Sequence, residues 1–167
     1  MEKNKKLKQY FTYGIIAAVL YCISVAVYIR SLSFTGIWIL FVGNVVFAAV
    51  IAAYIFNYNI RRNSDTSSIQ MVKQGHIISI IGIVISALLV FLLLVFLVPD
   101  VFKSTKDGDA TLMSSPTQLY GKNNGLLFVL VIDLIFGNIA TSSFVSFMLP
   151  FSITKAQKGE REPTRQL

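Results

Sequence analysis

Four long apolar runs divide the chain, from about Tyr10 to Ile29, Gly36 to Tyr58, His76 to Val98 and Leu126 to Leu149. A hydrocarbon layer about 30 Å thick takes roughly 20 helical residues at about 1.5 Å each, so every run is long enough to cross once. The runs do not alternate apolar and polar positions; Ile83 to Val98 is aliphatic and aromatic nearly throughout. Transmembrane barrel strands alternate between lipid and lumen, so a barrel is excluded. A helix satisfies its own backbone hydrogen bonds in lipid, and the pattern predicts an all-α membrane protein, a four-transmembrane-helix antiparallel bundle. Polar residues mark the ends: Arg30 and Ser31 to Ser33 after the first span, Arg61-Arg62 after the second, Pro99-Asp100 after the third and Pro150 after the fourth.

The connections refine this layout. The turn from Arg30 to Thr35 is so short that spans one and two form an antiparallel hairpin. Between Asn59 and Gly75 the chain is polar, then mixed at Ile69, Met71 and Val72, which predicts a short interfacial helix capped by Ser67 or Ser68. The outer segment 99–125 is too short and polar to build its own core. Residues 1–158 are expected to form one transmembrane domain, followed by a disordered cytoplasmic tail over 159–167.

Composition agrees with the pattern: 54% of the 167 residues are hydrophobic and only 14% charged, whereas soluble domains carry about a quarter charged residues. The formal charge of +7 could suggest nucleic acid, but the positions of the charges point elsewhere. Lys3, Lys5, Lys6 and Lys8, then Arg61, Arg62 and Lys73, then Lys155, Lys158, Arg161 and Arg165 fall on one side of the predicted membrane. Arg30, Lys103, Lys106 and Lys122 fall on the other. Lys and Arg collect in cytoplasmic connections, so both termini are expected in the cytoplasm. Anionic lipid there attracts each by about 1 kcal/mol, which accounts for the basic excess without a nucleic-acid partner. Tyr10, Tyr13, Tyr54 and Tyr58 would lie at the inner interface, with Tyr28, Phe34, Trp38 and Tyr120 near the outer one.

The basic head before the first run also resembles a secretory leader. The run is longer than a leader's apolar core, and no convincing small-x-small cleavage site precedes Arg30, so a retained helix is expected. Val19-Leu20-Tyr21-Cys22 has a bulky Tyr where a lipidation site needs a small residue.

Asp133 is the sharpest single residue, the one acidic side chain well inside a span. Its insertion cost of about 2.5 to 3.5 kcal/mol is offset by surrounding Leu, Ile, Val and Phe at about 0.3 to 0.6 kcal/mol each, so the span still inserts. Asp133 is a candidate proton or cation site; the alternative is a protonated or hydrogen-bonded carboxyl in contact with another helix. Asn44, Asn138 and Thr141 are candidate interhelical polar contacts, of about 0.6 kcal/mol each. At about 100° per residue, Asp133, Gly137, Ala140 and Thr141 share a face, with Asn138 about 140° from Asp133. Thr141, Ser142, Ser143 and Ser146 are expected to return their hydroxyls to carbonyls one turn back. Small residues, which let membrane helices approach, run through Gly14, Ala18, Cys22 and Ala26, through Gly75, Ser79, Gly82 and Ser86, and include Gly137. These stripes predict close packing within the chain.

Several chemistries are excluded by count. A single His76 cannot make a bis-His haem site, and a single Cys22 allows neither an intramolecular disulfide nor a cysteine metal cluster. Lys106-Asp107-Gly108-Asp109 lacks the later ligands of a calcium loop, and no phosphate-binding or nucleophile motif occurs. No metal, cofactor or covalent catalysis is expected.

The hairpin, the segment from Ser67-Ser68-Ile69 to Gly75-His76-Ile77-Ile78-Ser79, the polar outer segment and the Gly- and Asn-bearing last span together resemble a family of four-span proteins common in Bacteroidota that carries a domain-of-unknown-function label. The likeness covers most of residues 8 to 158, although the outer segment is shorter here than is usual there. It implies a bacterial inner membrane and four helices, and carries over no activity or site residues. The expected function is a non-enzymatic accessory, scaffold or assembly role, with a membrane-protein partner or a second copy. The alternative is a small transporter or channel subunit using Asp133.

Overall fold

Long stretches without a helix breaker become long helices. In the computed structural model, α1 spans Glu2–Ser31, a single 3-10 turn Phe34–Ile37 leads into α2, Trp38–Arg61, and α3 spans Ser68–Leu97. The fourth span is two helices, α4 (Asn123–Ile132) and α5 (Asn138–Arg161), joined by a π-helical turn, Asp133–Gly137. Backbone is described for residues 2–31, 34–61, 67–98 and 123–161, and side chains for 6–31, 36–58, 67–98 and 126–154. Four stretches are long and apolar enough to cross a membrane: Lys6–Ser31, Trp38–Tyr58, Ser68–Leu97 and Leu126–Thr154.

Several boundaries differ from the sequence expectation. The interfacial helix predicted before span three does not exist separately; it is the first two turns of α3, since nothing between Ser68 and His76 interrupts the backbone ladder. Ser67 caps through its carbonyl, which accepts the Gln70 and Met71 N–H groups at 3.0 and 3.2 Å, and not through its hydroxyl. Ser68 instead pairs its hydroxyl with that of Thr154, at 2.6 Å. Pro150 does not end the fourth span but lies inside α5; a transmembrane Pro is tolerated because neighbouring groups satisfy the freed backbone. The helix reaches Arg161, so the tail expected to be disordered from 159 starts as helix. The outer segment falls largely outside the described residues.

The contacts define the arrangement. α1 runs antiparallel to α2, with Asn57 bonded to Tyr13 at one end and Gly43 against Tyr21 and Ser24 further along. α3 runs parallel to α1 and antiparallel to α5, where Gly75 lies against Ser146. The fourth span also packs on α2, leaving it diagonally across the bundle from α1. Small residues set the spacing. A Cβ at Gly14 would come within 2.8 Å of Ile81, and one at Gly82 within 2.7 Å of the Phe47 ring. Ala18, Ser79 and Ser86 are buried in the same seams. The small-residue stripes therefore face inward, between helices of this chain.

Two burial periods coexist. In α2 the buried positions Leu40, Asn44, Phe47, Ile51, Tyr54 and Tyr58 alternate steps of four and three, the repeat of a left-handed helix pair. In the fourth span they come every four residues: Leu126, Leu130, Leu134, Asn138, Ser142, Ser146 and Pro150. A four-residue step overshoots a 3.6-residue turn by about 40°, so a plain α-helix would carry this stripe steadily round its axis. The wider π turn takes up part of that drift.

Candidate functional site

Asp133 opens the π turn. There the Asn138 N–H donates to the Asp133 carbonyl, five residues back, where an α-helix would direct it to Leu134. The Leu134 carbonyl would be left orphaned in a buried position, a costly state in lipid. The Asn138 side-chain amide fills the gap, its Nδ2 donating to Leu134 O at 3.1 Å. Asn138 thus bonds its own helix, and its side chain also meets the Tyr21 hydroxyl of α1, the interhelical contact expected of it. Its Oδ1 is buried and has no hydrogen-bond donor.

The Asp133 side chain crosses to two other helices. Tyr21 of α1 donates its hydroxyl to Oδ2 at 2.8 Å, and Asn44 of α2 donates Nδ2 to Oδ1 at 2.7 Å. Both donors are neutral, and no basic group acts on the carboxyl among the described residues. Tyr21 and Asn44 are almost wholly buried while Asp133 is half-buried. Gly137 completes the arrangement: a Cβ there would sit 2.5 Å from Asn44 Nδ2 and 3.0 Å from Asp133 Oδ1. Thr141, one turn on, donates to Gly137 O at 2.9 Å and approaches the Asn44 carbonyl at 3.4 Å. Asp133, Gly137 and Thr141, placed on one face by their spacing, therefore form one cluster with Asn44 of α2. Tyr21 is the member sequence reasoning passed over; its signal was a Tyr in mid-span, two turns below the Tyr28 assigned to the interface.

On its open side Asp133 borders a groove of about 280 Å³ between α2 and the fourth span, walled by Leu40, Phe41, Phe128, Ile132 and Phe136. A larger furrow of about 530 Å³ lies further along the same face, lined by Val45, Ala48, Ala49, Ala140 and Phe144.

The remaining candidates are occupied by packing. His76 Nδ1 lies 2.9 Å from the Val72 carbonyl, with its ring edge-on to Phe147 at 5.3 Å. The Cys22 thiol is buried, pointing at Ser86 O from 4.0 Å. Ser142 returns its hydroxyl to Ile139 O at 3.3 Å, but Ser146 does not bond back and is buried without a partner. Tyr54, expected at the inner interface, is buried within the bundle, and its hydroxyl donates to Gln74 Oε1 at 3.2 Å. Among the described residues no three His, Cys, Asp or Glu side chains converge as a metal centre would require.

Fold and site together define an all-helical protein with four helices long and apolar enough to cross a membrane, three of them tied at one carboxyl. No family model, curated protein or solved structure matches the chain.

Proposed function

We propose that this is a non-enzymatic, multi-pass protein of a bacterial inner membrane, with both termini cytoplasmic, that serves as an accessory or scaffold for another membrane protein. The observation carrying this reading is the furrow between α2 and the fourth span. Ala49 and Ala140 are exposed along it, and small side chains of this kind are what let membrane helices approach closely. Inside the bundle the same residue types already seat α1 on α3. The uneven division of Lys and Arg between the two sides supports the orientation, and the resemblance to the Bacteroidota-type family supports the choice of membrane. A photo-crosslinker at Ala49, followed by mild-detergent purification, is expected to yield a stoichiometric adduct that Ala140→Phe abolishes while leaving the fold intact. A protein that purifies as a lone monomer with no adduct overturns the reading.

The second reading, a small transporter or channel subunit, is favoured by Asp133 bordering an open groove beside a π turn, a distortion frequent at functional sites. Reconstituted protein would then show a pH-dependent flux lost in Asp133→Asn; no flux in wild type removes this reading.

A further inference from the structure

The oxygen atoms around Asp133 exceed the donors available to them. The carboxyl accepts from Tyr21 and Asn44, yet Asn44 Oδ1, Asn138 Oδ1 and the Tyr28 hydroxyl are all buried with no hydrogen-bond partner. Their residues are exposed by 1%, 0% and 0%. All surround one region. Asn44 touches the carboxyl, Asn138 faces the Tyr21 hydroxyl, and Tyr28 lies one heptad beyond Tyr21 on the same face of α1, within electrostatic reach of Asp133. A buried polar atom without a partner carries a desolvation penalty of about 1 to 3 kcal/mol, and two such amide oxygens lie on the residues that meet the Asp133–Tyr21 pair.

One ligand chemistry suits the carboxyl and the two amide oxygens nearest it. Carboxylate, amide carbonyl and hydroxyl are hard oxygen donors, suited to cations such as those of the alkali and alkaline-earth metals and unlike the sulfur and imidazole sets that hold zinc or iron. The site offers a single formal negative charge, so a monovalent cation leaves it neutral in the membrane interior, whereas a divalent one would leave a buried positive charge. We infer that Asp133, Asn44, Asn138 and Tyr21 bind one dehydrated alkali-metal cation of sodium size. Asn44 is the adaptable ligand. With Nδ2 toward the carboxyl it donates a hydrogen bond; a half-turn of the amide brings Oδ1 to the same place and turns the donor into a ligand. Gly137 keeps open the space this needs, and Asn138 meets the Tyr21 hydroxyl that donates to Asp133 Oδ2. The groove past Phe41 and Phe136 is the approach to the carboxyl. The site does not depend on whether the protein is a scaffold or a carrier.

Equilibrium binding of radiolabelled sodium to the full-length protein in non-ionic detergent tests this. One saturable site per chain is expected, competed by unlabelled sodium and not by choline, with lithium and potassium ranking the size of the cavity. Asp133→Asn, checked for helicity and monodispersity, should reduce binding to background, and Asn138→Ala should weaken it about tenfold. Absence of saturable alkali binding by wild-type protein overturns the inference whatever the variants do, and identifies Asp133 as at most a proton site. Binding that persists in a folded Asp133→Asn overturns it equally.

Discussion

The bundle buries two tyrosine hydroxyl groups against side-chain oxygens, in opposite halves, and the two pairs are built differently. Tyr54 donates to the amide of Gln74 at 3.2 Å, in a cluster with Tyr10, Tyr13 and Tyr58 whose ring centroids lie 5.1 to 6.0 Å from its own. Tyr21 donates to the carboxyl of Asp133 at 2.8 Å, beside unpartnered oxygens and a distorted helix. The first is a neutral bond between regular helices, enclosed by aromatic edges. The second leaves surplus acceptors around a group that can carry charge. A membrane bundle therefore does not need an acid to hold its helices together, since a tyrosine and an amide already do so one half-membrane away. The acid and its surplus oxygens point to binding.

Substitutions can break or sharpen this contrast. The largest effect is expected at Gly137: Gly137→Val drives a side chain into the Asn44 amide and separates it from Asp133. Overpacking and a lost charge-assisted bond together cost about 3 kcal/mol or more, read as a lowered unfolding midpoint in detergent. Next, Tyr21→Phe should cost about 1.5 to 3 kcal/mol, because it strips a donor from a carboxylate. Tyr54→Phe is expected to cost only about 0.6 kcal/mol, typical of a neutral interhelical bond in a membrane. Equal losses from the two tyrosines would show that Asp133 behaves as one more neutral partner. The smallest effect is expected for Ser68→Ala, which removes a hydroxyl pair with Thr154 near the end of the bundle and should shift the midpoint by about 0.5 kcal/mol or less.

Much of the fold was legible because lipid imposes a strong pattern. Span number follows from four apolar runs, and the inward small-residue seams follow from Gly14, Gly75 and Gly82, whose size matters only where another helix comes close. The buried end of α2 was not legible: Tyr54 and Tyr58 have the composition of an interfacial belt, and only tertiary packing decides that Tyr54 turns inward to Gln74. In the fourth span, 100° per residue placed Asp133, Gly137 and Thr141 together correctly. It could not anticipate the π turn, because a single widened turn leaves no periodic trace. The bond from Asn138 back to the Leu134 carbonyl lies within that turn and was not anticipated either. Pro150 was misread as a stop because that rule assumes water as the competitor for the backbone, and lipid offers none.

The Asp133 contacts join residues far apart in sequence, 112 positions from Tyr21 and 89 from Asn44. At a translation rate of about 5 to 20 residues per second, both donors are synthesised roughly 5 to 20 seconds before the acceptor. The acidic helix is thus made last, after both helices that carry its donors. A chain interrupted before that point would leave the Tyr21 hydroxyl and the Asn44 amide without the acceptor they share.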